Sequence, residues 1–269
     1  AVAPAGGVIV VTDRLGVADK FGKRLGKPDI RFHGQDGAEI LAEELSHHAR
    51  EEVYARVGAG LSTDELDKFL SRSGWQCAVV PSSGWSAIAG NFSTNAGGNG
   101  TPKYGTFQNI IARLRVVVAA AGGAEVRVVT DRKKIFALGG GQGLYGIITE
   151  LDIRVVPRLS REELFSCVCS CVIADVAALG DAVGAFMCDM QGVTRPVIAE
   201  FMMADRSLFK KDDPLLANAE VMGFFTYPDK SHKFLTMYQG RREEMTSLKG
   251  VAGRHPHIEY REISPETFK

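Results

Sequence analysis

The sequence predicts an α+β fold in two parts: a mixed sheet with flanking helices over residues 1–157, then a ferredoxin-like module over residues 158–269. Three observations carry that expectation. The first part is built of short alternating apolar runs with one strongly capped helix among them. Two β-branched runs around Gly122-Gly123 mark a hairpin near its C-terminal end. After Pro157 the pattern becomes strand, helix, strand, twice in succession, the order of a split βαβ module.

Taken in order, Gly7 to Val11 reads as a short strand, and residues 15–50 as polar chain with two charged helical stretches. Glu52 to Val57 alternates as a strand. Ser62-Thr63-Asp64-Glu65 is a capping box, with Leu61 and Leu66 placed as a hydrophobic staple; Leu66, Phe69 and Leu70 form the apolar face and Gly74 stops the helix. Gln76 to Val80 is a strand, after which residues 81–105 lose all periodicity. Leu114 to Ala120 and Ala124 to Val129 form the hairpin, with the glycine pair suited to positive φ. Ile147 to Val156 is a long strand ended by Pro157. Beyond it come a strand (Leu164 to Ile173), a helix (175–190), a strand (Val197 to Met203), a polar loop, a strand (Glu220 to Tyr227) and a helix (229–248).

With 269 residues, 45% of them hydrophobic, the chain is long enough to bury a sizeable core. Lys plus Arg and Asp plus Glu balance at 32 each, so charge gives no reason to expect nucleic acid as a partner. No apolar run reaches the roughly 20 residues that span a bilayer. The opening Ala1 to Gly7 lacks the basic and apolar regions of a secretory signal. The odd set Cys77, Cys167, Cys169, Cys171 and Cys188 does not read as a disulfide framework, which points to a reducing, cytoplasmic setting. Cys167, Cys169 and Cys171 alternate, so on a strand they share one face, as small buried thiols rather than a metal cluster. His255-Pro256-His257 has no acidic or Cys partner spaced for zinc, and His47-His48 reads as solvated.

Two segments carry chemistry. Pro81 to Gly98 is too long and too rich in Gly, Ser and Asn for an ordinary connection. Glycines let amides approach a ligand, and successive amides in tight turns bind anions, so the composition suits a diphosphate and a polar heterocycle. By composition alone a glycine-rich surface loop fits equally well. Gly141 to Gly146 matches G-x-G-x-x-G, but a nicotinamide-cofactor fingerprint needs a helix to open on it. The residues that follow, Ile147-Ile148-Thr149-Glu150-Leu151-Asp152-Ile153, are strand in pattern, which argues against that reading.

Together these segments resemble the FAD-binding, PCMH-type domain of the vanillyl-alcohol oxidase and p-cresol methylhydroxylase flavoprotein family. Three blocks carry the resemblance in the family's order: Val57-Gly58-Ala59-Gly60 before the capped helix; Ile88-Ala89-Gly90-Asn91 running into Thr94-Asn95-Ala96-Gly97-Gly98 and Lys103-Tyr104-Gly105; and Gly143-Leu144-Tyr145-Gly146-Ile147-Ile148-Thr149. The Thr-Asn-Ala-Gly-Gly form resembles the D-lactate and glycolate dehydrogenase branch. Ala137 to Gly140 with Gly146 to Thr149 looks more like cytokinin dehydrogenases and sugar-alcohol oxidases, so the branch stays open. The resemblance implies that Pro81, Ser82, Ser83, Ala87, Ile88, Ala89 and Gly90 line the pyrophosphate and ribityl chain. It implies that Ser93, Thr94, Asn95 and Gly97 lie along the flavin, with Asn91 and Gly98 in the same set. Gly146, Ile147 and Ile148 meet the adenine end.

Two departures stand out: Ala87 where the family often has Ser or Thr, and Ala89 where it often has Gly. The family's N-terminal subdomain, with its own pyrophosphate loop, ends just before a segment like Pro4 to Val8, so the chain reads as a fragment that begins there and carries an incomplete cap in residues 158–269. The expected cofactor is FAD. The expected activity is oxidation of a hydroxy acid, alcohol or amine, by hydride transfer to flavin while a protein base takes the O–H proton. The resemblance assigns no catalytic base, no metal and no electron acceptor, and leaves a homo-oligomer open. The alternative is a non-catalytic structural or interaction subunit that keeps the fold.

Overall fold

Val53, Ala55 and Val57 are buried while Tyr54, Arg56 and Gly58 turn the other way, so the strand Val53–Gly58 (β3) has one apolar face and one polar face. It is one strand of the sheet in a computed structural model that describes residues 30–81, 83–191, 198–203 and 231–264. The chain divides into two units, Ala1–Arg158 and Leu159–Lys269.

In the first unit, the strands Arg31–Gly34 (β1), Glu39–Ile40 (β2), β3, Trp75–Cys77 (β4), Ile111–Ala120 (β5), Gly123–Val129 (β6) and Ile147–Pro157 (β7) form one sheet. Its order is β2-β1-β3-β7-β5-β6, with β4 also paired to β7. The pairings are all antiparallel, where the sequence suggested a mixed sheet. The helix Thr63–Leu70 (α1) has its capping box, with Leu61, Leu66 and Leu70 buried. Short helices follow at Ile88–Ser93 (α2), Thr101–Tyr104 (α3), Phe107–Ile110 (α4) and Arg132–Leu138 (α5). Phe32, Leu66, Trp75, Phe92, Phe107, Leu114, Leu151 and Ile153 belong to the core on the apolar face.

Several expectations change. The run at 7–11 and residues 15–29 lie outside the described residues; within 30–50, residues 31–40 form the β1–β2 hairpin and only Leu45–His48 makes a helical turn, a 3-10 one. The strand expected over 76–80 stops at Cys77, and Val80 makes a single bridge to Asn99. The segment without periodicity contains α2 and α3, helices too short to show a period. In the hairpin, Ala120 pairs with Gly123, and of the two glycines only Gly123 takes a positive φ, +123°.

The polar face of this sheet carries a chain of charges. Arg56 makes two hydrogen bonds to Asp152, Nε to Oδ1 at 2.7 Å and Nη2 to Oδ2 at 2.8 Å. Arg113 Nη1 lies 2.6 Å from Glu150 Oε1 and 3.5 Å from Asp152 Oδ1. His33 Nδ1 donates to the Gly34 carbonyl at 3.0 Å, and its Nε2 lies 3.0 Å from Asp152 Oδ2, an ion-pair contact too bent for a regular hydrogen bond. With Nδ1 donating, Nε2 faces a carboxylate favourably only when protonated, so Asp152 raises the His33 pKa above its ordinary value. Burial alone would push the Asp152 carboxyl up, but Arg56 and His33 outweigh it and hold it well below the usual range.

The second unit contains the strands Phe165–Ile173 (β8), Ile198–Met203 (β9), His232–Gly240 (β10) and Glu259–Ile263 (β11) and the helices Val176–Gln191 (α6) and Arg242–Ala252 (α7). The sheet order β11-β8-β10-β9, all antiparallel, is the 4-1-3-2 arrangement of a βαββαβ module. The strand expected over 220–227 lies outside the described residues. The helix expected over 229–248 is corrected: β10 occupies its first half and α7 begins at Arg242. A central strand buried on both faces has no alternation to read, and β10 buries Leu235, Thr236, Met237 and Tyr238 in succession. Strand β11 was not anticipated. His255 Nε2 lies 3.2 Å from Asp189, and no cluster suited to a metal occurs among the described residues. No helix among them is long and apolar enough to cross a membrane.

Cys167, Cys169 and Cys171 share one core with Phe186, Tyr238, Met245 and Leu248. Neighbouring Cys167 and burial push the Cys169 thiol up, and burial pushes Cys77 up to about 12. Cys188 is exposed. Titration of the native protein with an aromatic disulfide should therefore modify Cys188 rapidly, with the other four thiols reacting only on unfolding.

Candidate functional site

Three segments far apart in sequence meet at the end of β3. The Ala59 N–H donates to Thr149 O on β7 at 3.1 Å, Ala59 O accepts from Ala89 N–H at 3.1 Å, and Leu61 O accepts from Ile88 N–H at 2.8 Å. These contacts seat α2 with Ile88 and Phe92 in the core. Helix ends leave carbonyls without partners. At the C-terminal end of α2, Phe92 O accepts from Gly140 N–H at 3.1 Å and Ser93 O from Gln142 N–H at 2.8 Å, so the 139–146 turn hangs from this helix.

Asn95, at φ +50°, redirects the chain after α2, and its Oδ1 accepts from Gln108 N–H at 3.1 Å. Val80 and Asn99 exchange two backbone hydrogen bonds of 2.8 Å each. They bring the ends of the glycine-rich segment together, and a Cβ on Gly98 would lie 2.6 Å from Pro81 Cα.

The structure brings Ser93, Gly146 and Ile148 into one cleft with Val116, Leu138, Gly143 and Tyr145. Ile147 starts β7 opposite Val117 and is half-buried. Pro81 is buried against Gly98, while Ser83, Gly90, Thr94 and Gly97 are exposed and Ala87 is half-buried. Ser82 lies outside the described residues. Ile88, Ala89 and Asn91 are buried, and with the Ile88 and Ala89 amides already donating to Leu61 and Ala59, neither has an N–H left for a phosphate. The Gly98 N–H likewise donates to Thr101 Oγ1 at 2.8 Å.

The sequence reading did not single out the exposed Trp85 (80%), Leu144 (79%) and Tyr145 (59%) as site residues, although the last two stand out as large side chains within a glycine run. The cleft encloses only about 10 Å³, room for about one water, so its lining is an open wall rather than an enclosing pocket. At the bridge that closes the loop, Asn99 Oδ1 is buried without a partner. With the Ile88, Ala89 and Gly98 amides already donated, the described residues fit the sugar and ring portions of FAD better than its phosphates.

A family model for an FAD binding domain matches residues 41–129. A D-lactate dehydrogenase of Archaeoglobus fulgidus is 30% identical over 110 residues, 39% of this chain and 25% of that protein. The alkyldihydroxyacetonephosphate synthase of Caenorhabditis elegans is 24% identical over 162 residues, 58% of this chain and 26% of that protein. Among solved structures, an alkyldihydroxyacetonephosphate synthase matches with a TM-score of 0.58 at 16% identity, covering 83% of this chain and 41% of that one, a likeness of fold. The chain spans about a quarter of the length of these curated relatives.

Proposed function

We propose that residues 41–129 are an FAD-binding domain of the vanillyl-alcohol oxidase and p-cresol methylhydroxylase flavoprotein family, and that this chain is part of an FAD-dependent oxidoreductase acting on a small hydroxy acid, alcohol or amine. The observation that carries the reading is the convergence at Ala59, where its N–H meets Thr149 O and its carbonyl meets Ala89 N–H. It joins all three glycine-bearing blocks into one wall. A D-lactate dehydrogenase among the relatives favours a hydroxy acid.

FAD, when bound, accepts a hydride from the substrate carbon. The part of this chain is to bind and orient. Ser93, Gly146 and Ile148 line the cleft, and Thr94, Gly97 and Gly90 offer exposed surface on the same helix and the loop after it. Pro81 and Gly98 close the base of the loop. Residues 1–157 and 158–269 are proposed as the cofactor and cap portions. The exposed free thiol of Cys188 suits a reducing, cytoplasmic setting.

The test is an absorbance scan of the full-length protein. Flavin bands in the visible blue are expected, bleached on anaerobic addition of a 2-hydroxy acid. Stripping the flavin and restoring it at about 100 times its Kd should stabilise the fold by about 2.7 kcal/mol. A colourless protein that takes up no FAD sinks the reading and leaves the structural subunit in its place.

A further inference from the structure

Amides in the first turn of a helix need acceptors, which side chains, water or anions usually provide. In α1, Ser62 Oγ accepts from Glu65 N–H at 3.2 Å. Two other amides go to the backbone of the glycine-rich loop: Thr63 N–H to Ser86 O at 3.2 Å and Asp64 N–H to Gly84 O at 2.8 Å. Ser62 and Ala87 form an antiparallel bridge, so residues 84–88 run along 61–64 like an added strand.

Side chains lock this arrangement. Asn91 Nδ2 donates to Thr63 Oγ1 at 2.9 Å, Thr63 Oγ1 donates to Ser86 O at 3.4 Å, and Ser86 Oγ donates to Asn91 Oδ1 at 2.8 Å. The ring closes on itself with Thr63 fully buried and Asn91 5% exposed. The Ser86 hydroxyl has a second acceptor, Ser83 O at 2.6 Å, so one proton serves both the 83–86 turn and α2. A buried polar ring whose members satisfy one another specifies a single arrangement that apolar side chains would leave loose. What it specifies is the course of residues 83–87, from which Ser83 and Trp85 project.

We propose that Thr63 is a positioning residue for the cofactor, acting with Asn91 and Ser86 to hold the 83–87 loop in the shape that FAD meets. The inference rests on the flavin reading. It moves Asn91 from contact to support, because its side-chain amide is spent on Thr63 and Ser86 and its backbone N–H and carbonyl on Ala87 and Ala96. Thr63 itself never touches the ligand.

Thr63→Val keeps the volume and removes the hydroxyl, whereas Thr63→Ser keeps the hydroxyl and removes a methyl. In the full-length protein, Thr63→Val should weaken FAD binding about 10- to 30-fold, as expected for one buried partner lost and a loop no longer preorganised. Thr63→Ser should stay within about threefold of wild type. In the FAD-free protein, the fluorescence anisotropy of Trp85 should fall in Thr63→Val alone; buried Trp75 is the internal control. A merely structural role would lower the melting temperature of both variants and leave the FAD affinity of the folded protein unchanged, and that result overturns the proposal. Wild type that binds FAD beside a Thr63→Val variant of equal affinity overturns the role of Thr63 alone. Wild type that takes up no FAD overturns the flavin reading and this inference with it.

Discussion

Replacing Gly146 with alanine is expected to destabilise the protein by about 3 kcal/mol, from backbone strain and overpacking together. Gly146 sits at φ +151°, a conformation that side chains resist, and a Cβ there would lie 2.6 Å from Val117 O and 2.8 Å from Val116 Cγ2. Val117 is paired with Ile147 in the sheet and cannot yield without breaking the β5–β7 register. The neighbouring Gly143 is the control. It also has a positive φ, but its Cβ would meet open space, so Gly143→Ala should cost only about 1 kcal/mol. Urea unfolding of the three proteins checks the difference. Equal midpoints for the two variants would show that β5 moves aside and that close packing at Gly146 is not what the strand requires. Because Gly146 lines the cleft, flavin affinity should fall in Gly146→Ala even where the fold persists.

Removing the carboxylate of Asp152 should have an effect of similar size. Asp152 is 2% exposed and neutralises Arg56, with His33 and Arg113 alongside. Taking one partner from a buried ion pair costs about 3–5 kcal/mol. Glu150 beside Arg113 and the partial exposure of Arg56 put Asp152→Ala at the lower end of that range.

The pH dependence separates the two charges. The Asp152 pKa is depressed, so its contribution is present above about pH 4 and is lost as pH falls through the folded value. The His33 pKa is raised, so its contribution is full below about pH 6.5 and is lost as pH rises through the folded value. Wild-type stability should therefore decline as pH rises above about 6.5, and Asp152→Asn should flatten that slope by returning His33 toward its ordinary pKa. Urea unfolding across this range and an NMR titration of His33 test both. A His33 that titrates identically in the two proteins would refute the coupling.

The capped helix α1, the β5–β6 hairpin and the alternation of β7 were legible because each signal lies within a few residues: Ser62 with Glu65, Ala120 with Gly123, and Glu150, Asp152 and Arg154 between apolar neighbours. Strand β10 was misread because both its faces are buried, which erases the period that separates strand from helix. The glycine-rich segments were legible as one unit through the resemblance that their order carries, while composition alone left a surface loop equally open. Their residues were not all alike, however, and nothing local distinguishes them. Ile88 and Ala89 turned out to spend their amides on Leu61 and Ala59, and Asn91 its side chain on Thr63 and Ser86, while Ser93 shares a cleft with Gly146 and Ile148. The sequence by itself determined which segments form the wall, since backbone freedom and short polar side chains are properties of residue type. Only the tertiary structure decided which residues hold the wall and which stay exposed on it, because a hydrogen bond from Asn91 to Thr63 joins positions 28 residues apart and exists only once the sheet has brought them together.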